Sequence, residues 1–126
     1  YGPRVLLFTG DIEEDAEQHL LPKIKRSDVV KVAHHGSKSS SSMPFVAAAN
    51  PNWAVISCGR GNRFGHPNER TLRHWNNAQT LRTDELGTIE FWMKDSAVEI
   101  RSWREETGWR WAFKEDIELV LTRELD

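Results

Sequence analysis

Short apolar runs alternate in the first part of the chain with stretches in which apolar residues recur at helical spacing. The runs predict β-strands over residues 5–8, 29–33, 53–57 and 80–82. The stretches between them predict helices over about residues 12–21, 43–49 and 68–77. Because the run 5–8 is continuous, we expect that strand to be buried on both faces. Strands that alternate with helices predict a layered α/β domain with a parallel or sandwiched sheet.

A different pattern follows, in which apolar and polar residues alternate strictly. It occupies residues 88–94 and 97–103, with a turn at residues 95–96. A period of two on both sides of a turn predicts an antiparallel hairpin. Residues 109–111 and 117–122 are candidates for one further strand.

The chain has six tryptophans, and two of them fall on the otherwise polar face of the predicted hairpin. Trp92 and Trp103 are therefore either covered by residues 109–113 or exposed for stacking on bases. Packing between strands is the interpretation that we favour.

Composition narrows the class of protein. The chain has 126 residues, of which 38% are apolar and 29% charged, with a net charge of −2. This length allows one core and excludes a multidomain protein. The charge excludes a uniformly basic nucleic-acid binder but allows a local basic patch. No apolar run is long enough to span a bilayer, so we expect a soluble chain without a transmembrane segment.

The single cysteine, Cys58, excludes an internal disulfide and a zinc site built on several thiolates. We interpret Cys58 as a small packing residue. Because the sequence begins at Tyr1 and has no signal-peptide pattern, we expect a fragment or a processed chain.

The first candidate for chemistry is Asp11, which follows the strand 5–8 through Thr9 and Gly10. A carboxylate at the end of a buried strand is suited to binding one or two metal ions. The alternative is structural, because Asp11 followed by Glu14 resembles a helix capping box.

The second candidate is the pair His34 and His35, which follows the strand 29–33. On an extended backbone neighbouring side chains point to opposite faces, so at most one histidine faces a shared site. Gly36 and Ser37 add donors that suit a phosphate or a water. A purely structural histidine pair is the alternative.

The third candidate is the loop 59–67, which carries Arg60, Arg63 and His66. A flexible basic loop attracts a phosphodiester backbone, and His66 is suited to act as an acid, a phosphate binder or a metal ligand. The alternative is a solvated turn.

These three motifs in this order resemble the metallo-β-lactamase-like domain of the ComEC family, the bacterial competence channels for DNA uptake. The resemblance extends from about residue 6 to residue 94. It implies an α/β fold, the C-terminal half of an αββα sandwich, over residues 1–103, with a tryptophan-containing acidic extension over residues 104–126. It also implies that Asp11 bridges two divalent ions, zinc or manganese, with His34 or His35 as a further ligand and His66 near the substrate.

The same resemblance implies a nuclease that degrades the non-transported DNA strand. Its partners would be single-stranded DNA and the rest of a parent channel at the extracytoplasmic side of the inner membrane. Ser37, Arg60, Arg63 and His66 would bind phosphate.

One departure from the family matters. The early His-x-His-x-Asp-His cluster of the superfamily is missing, and three candidate ligands are too few for a closed two-metal site. We therefore expect the chain alone to be inactive, with an apolar surface left for a partner or a second copy. The alternative functions are an incomplete DNA-binding or scaffold module and a hydrolase of small phosphoesters or lactones.

Overall fold

The computed structural model describes residues 2–114. These residues form two compact units. The first unit covers Val5–Glu85, and the second covers residues 2–4 and 86–114. The expected domain boundary after residue 103 falls inside a strand of the second unit, and that assignment stays a prediction.

The first unit is built on a four-stranded parallel sheet. Its strands in spatial order are β1 (Leu6–Phe8), β2 (Val29–Lys31), β3 (Trp53–Ile56) and β4 (Gln79–Arg82). The connections contain the helices α1 (Glu14–Leu20), α2 (Met43–Ala49) and α3 (Glu69–His74), and the short helix α4 covers Thr83–Leu86. Two 3-10 turns cover Leu21–Lys23 and Ala33–Gly36. The predicted mixed α/β class is confirmed.

The core of the first unit lies around β2 and β3. Val30, Ile56, Phe45 and Trp75 are at most 1% exposed and belong to one apolar cluster. The prediction that the first strand is buried on both faces is wrong. β1 is an edge strand of this sheet, and Phe8 at its end is 76% exposed.

The second unit contains a three-stranded antiparallel sheet. Its strands are β5 (Thr88–Met93), β6 (Val98–Arg104) and β7 (Gly108–Lys114), in that order. The predicted hairpin is confirmed, and so is a further strand that includes residues 109–111. The other part of that prediction, residues 117–122, lies outside the described residues.

One face of this antiparallel sheet is buried and the other carries tryptophans. Val98 and Ile100 are at most 4% exposed. Trp103 lies opposite Trp109 in the register, and Arg101 lies opposite Trp111. The tryptophans on this face are 40–51% exposed, so Trp92 and Trp103 are covered less than the packing interpretation predicts.

Candidate functional site

Three loops that carry the predicted site residues meet at one edge of the parallel sheet. They follow β1, β2 and β3, whose carboxyl ends point the same way. The first two loops are joined by the His34 amide, which donates to the Gly10 carbonyl at 3.1 Å. The Thr9 hydroxyl donates to the Lys31 carbonyl at 2.6 Å. The topology thus brings together residues that are more than 20 positions apart.

The two histidines lie in a tight turn and not on an extended strand. His34 has φ 47° and ψ 44°, and His35 has φ 56° and ψ 21°. Both are left-handed, which is uncommon for residues other than glycine. The turn is closed by the Ser37 amide, which donates to the His34 carbonyl at 2.9 Å. The expectation of an extended backbone at this pair is therefore wrong, and whether one histidine or both face a shared site stays a prediction.

His35 lies next to Asp11. Its Nε2 is 3.8 Å from Asp11 Oδ1. Its Nδ1 is 2.7 Å from the carbonyl oxygen of Ser57, which only accepts, so Nδ1 carries the proton of that hydrogen bond. In the neutral ring this leaves the lone pair on Nε2, on the side of Asp11. The Asp11 carboxylate and the Nε2 lone pair of His35 therefore lie next to each other.

His34 lies next to a different carboxylate. Its Nδ1 is 3.2 Å from Glu13 Oε1, although the two are not aligned as a hydrogen bond. Glu13 also accepts from the Ser39 hydroxyl at 2.9 Å. Glu13 was not predicted from the sequence, where its only signal is a carboxylate two positions after Asp11.

Asp11 does not cap a helix. Helix α1 begins at Glu14 with Glu13 in the N-cap position, so the capping-box alternative is wrong. Asp11 itself lies in a turn, in which the Ile12 amide donates to the Thr9 carbonyl at 3.4 Å, and Glu14 pairs with Arg70 at 2.9 Å. The Asp11 side chain is 64% exposed and remains available for ligands.

Gly36 brings the third loop close to the histidine turn. It has φ +82°, and a Cβ on it would lie 2.7 Å from Cβ of Pro67. The Asn68 amide donates to the Gly36 carbonyl at 2.9 Å. Only a glycine permits this approach, which sets the position of His66.

His66 lies beside His34, with ring centroids 6.0 Å apart. Burial lowers the pKa of His66 below its ordinary value, and the charges of His34 and His35 lower it further. Both effects favour the neutral form of the His66 imidazole. Its Nδ1 is buried and has no hydrogen-bond partner within the described part of the chain.

Asn62 holds the third loop in shape, and the sequence analysis missed this role. Its side-chain nitrogen donates to the carbonyls of Gly59 at 2.9 Å and His66 at 2.6 Å. Its Oδ1 accepts from the His66 amide at 3.0 Å. The loop 59–67 is confirmed as a loop, and these bonds give it one defined conformation.

The remaining predicted phosphate binders differ in setting. Ser37 is 7% exposed and its hydroxyl lies 3.0 Å from that of Ser39. Arg60 Nε donates to the Asp84 carbonyl at 3.4 Å. The Arg63 guanidinium carbon lies 4.9 Å from the ring centre of Phe64. Both arginines thus belong to the third loop, while Ser37 lies in the serine-rich loop, residues 37–42.

A buried carboxylate anchors that serine-rich loop. Glu17 is fully buried and accepts from the amides of Ser41 at 2.5 Å and Ser42 at 2.8 Å. The Ser42 hydroxyl, at the N-cap position of α2, makes no capping bond. Glu17 satisfies the amides at the start of α2 from another helix.

Cys58 lies two residues after the end of β3 and packs against the apolar cluster of the first unit. Burial, together with a hydrogen bond and the charge of Asp84, raises the pKa of its thiol to about 11. A thiol of this kind is a weak nucleophile at neutral pH.

The donor atoms of these loops decide whether a metal ion fits the site. Asp11 and His35 fit as two ligands of one ion, since their donor atoms are adjacent. Within residues 2–114, however, there is no group of three His, Cys, Asp or Glu side chains that would hold a metal. A closed zinc site needs four ligands, so the described residues supply only part of one.

Every helix in the described part of the chain is too short or too polar to cross a membrane.

Comparisons with known proteins gave relatives but no family model and no solved structure that match. The chain is 42% identical over 96 residues to ComE operon protein 3 of Bacillus subtilis, covering 71% of this chain and 12% of that protein. It is 36% identical over 110 residues to competence protein ComA of Neisseria gonorrhoeae, covering 82% and 16%. Recombination protein 2 of Haemophilus influenzae is 39% identical over 66 residues, covering 52% and 8%.

The chain thus spans less than a fifth of the length of each of these relatives. Its homologues include competence and recombination proteins, which matches the competence DNA-uptake family that the motif order resembles.

Proposed function

We propose that this chain supplies one half of the active site of a metal-dependent nuclease, a phosphodiesterase that acts on DNA within a longer competence protein. The observation that carries the proposal is the juxtaposition of Asp11 and His35, with 3.8 Å between carboxylate and imidazole at the carboxyl edge of a parallel sheet. The competence names of the relatives make DNA the substrate to test first.

Asp11 and His35 would act as ligands. A divalent ion, zinc or manganese, supplies an activated water and charge stabilisation when bound, and the complete domain would hold two such ions. The Ser57 carbonyl fixes the His35 ring so that Nε2 stays next to Asp11. The missing ligands would come from parts of the parent protein that this chain does not include, and the chain by itself would be inactive.

His66 and the arginines would act on the substrate. A neutral His66 is able to donate one ring N–H to a phosphate oxygen or to a leaving group. Arg60 and Arg63 on the same loop would attract the DNA backbone. Their charges would also offset those that develop on the phosphate oxygens.

The fold and the setting of the parent protein are parts of the same proposal. The chain would be the second half of a metallo-β-lactamase-like sandwich. Edge strand β1, with Phe8 76% exposed, offers a surface for the first half or for a second copy. The parent protein would hold this domain at the outer side of a bacterial inner membrane.

The test is cleavage of single-stranded DNA by the full-length protein that carries this chain. Asp11→Asn keeps the shape of the side chain and removes its charge, so we expect at least a hundredfold loss of metal-dependent cleavage. Asp15→Asn, on the exposed face of α1, is the matched control and should keep full activity. Retained cleavage in Asp11→Asn would refute the proposal.

A second candidate is a DNA-binding or scaffold module without catalysis. It is favoured by the absence, among residues 2–114, of any three-ligand group. This candidate predicts salt-dependent binding of single strands and no cleavage by the full-length protein under any divalent ion.

A further inference from the structure

Phe64 is an exposed aromatic ring in an otherwise well-held loop. It is 67% exposed, whereas the neighbouring His66 is partly buried. Single exposed apolar residues are common on protein surfaces. Phe64 differs from these because of what surrounds it.

The ring of Phe64 stacks on the candidate catalytic histidine. Its centroid is 5.8 Å from that of His66, with 19° between the planes. A near-parallel pair at this separation is offset, so a large part of the Phe64 ring stays uncovered. The Arg63 guanidinium is 4.9 Å from the same centroid. An aromatic surface, a positive charge and a neutral imidazole thus lie together.

These groups border a cleft of about 200 Å³. The cleft is lined by His35, Cys58, Gly59, Asn62, Phe64 and His66. Pockets that enclose a whole small molecule measure about 300–1,000 Å³. This cleft therefore suits one ring system of a larger ligand.

The backbone that carries the ring is held by hydrogen bonds within the loop. Asn62 bonds to both ends of the segment that carries Phe64, with three side-chain hydrogen bonds of 2.6–3.0 Å. Gly61 and Gly65, at φ +62° and +67°, provide the two reversals of the chain. A fixed aromatic platform loses little entropy on binding.

We propose that Phe64 is a stacking platform for one nucleobase of single-stranded nucleic acid, beside the Asp11 and His35 pair. This inference rests on the proposed function and names the residue that would hold a base of its substrate. Bases in a duplex are already stacked and do not reach such a ring, while every unpaired base has a free face. Arg63 next to the ring complements the charge of the strand.

The test is binding of fluorescent oligothymidylate to this chain in EDTA at low salt. An abasic oligonucleotide of the same length and charge serves as the reference ligand. We expect tighter binding of oligothymidylate than of the abasic strand by about tenfold, the scale of one stacked base. Phe64→Ala should abolish the difference, and Phe64→Trp should keep it.

Met43→Ala is the matched control, because Met43 is also an exposed apolar side chain, 55% exposed, and lies in the same unit. It should leave both affinities unchanged. The inference is overturned if the chain binds both strands equally, if it binds neither, or if Phe64→Ala retains the preference. Binding is measured without metal, so a negative result here overturns only the stacking role of Phe64. The proposed nuclease is refuted by a different result, retained cleavage in Asp11→Asn.

Discussion

The two units of the chain differ in how they place their polar groups. In Val5–Glu85, polar side chains from separate loops converge at one edge of a parallel sheet. In the antiparallel sheet of the second unit, the charged residues pair along the sheet surface. There Glu90 pairs with Arg101, and Lys94 pairs with Glu99 at 2.7 Å.

This difference indicates that the parallel unit is the one that carries groups able to bind a ligand. In the parallel unit Asp11 and His35 are next to each other without a close hydrogen bond, and their donor atoms remain open to a ligand. In the antiparallel unit Arg101 lies over Trp92 at 5.0 Å and over Trp109 at 4.3 Å. Those contacts stabilise the sheet itself.

The largest effect that we expect in this comparison comes from the buried carboxylate of the parallel unit. Glu17→Ala leaves the amides of Ser41 and Ser42 without their acceptor. We expect the free energy of unfolding to fall by about 3 kcal/mol in urea denaturation. Glu14→Ala, which removes a partly exposed ion pair on the same helix, should cost less than about 1 kcal/mol. Equal losses in both variants would contradict the anchoring role of Glu17.

A smaller effect is expected in the antiparallel unit. Arg101→Gln removes the cation from between two indoles and breaks its pair with Glu90. We expect a loss of about 1 kcal/mol and a shift in tryptophan emission. Arg110→Gln, on the exposed neighbouring strand, is the control and should stay within about 0.5 kcal/mol of the parent chain. If the two variants behave alike, the stacked arginine does not stabilise the sheet.

The smallest effect concerns the titration of His66 in the metal-free chain. Since burial and the two neighbouring histidines lower its pKa, protonation is disfavoured in the folded state. The free energy of unfolding therefore decreases as the pH falls below the ordinary histidine pKa of about 6.5, because the unfolded chain takes up the proton before the folded chain does.

Histidine NMR titration measures this directly. His34→Gln should raise the pKa of His66 part of the way to its ordinary value, because burial is the larger cause and remains. His19→Gln, on α1, should change nothing. A His66 pKa at or above the ordinary value in the parent chain would show that the ring is not enclosed as described.

The elements of the fold were largely predictable because their patterns are local. Helix α2 and strand β3 follow from a few neighbouring residues, and the hairpin follows from alternation around one turn. The exposure of Phe8 was not predictable, since a continuous apolar run does not reveal whether its strand lies at the edge of a sheet.

The site was predictable only as a set of residue types. The motifs identified Asp11, His34, His35 and His66, but the pairing of each depends on contacts between distant positions. The left-handed turn at the histidines has no glycine at either residue to signal it. Glu17 reaches amides 24 and 25 positions away, which no local pattern encodes.

The most direct test of the account is whether Asp11 and His35 act as one unit. The measurement is a double-mutant cycle on DNA cleavage by the full-length protein, with Asp11→Asn, His35→Gln and the double variant. If both residues serve one site, each single change removes most of the activity and the double variant is no worse than the poorer single one. Losses that multiply, or a single variant that keeps its activity, would contradict the account.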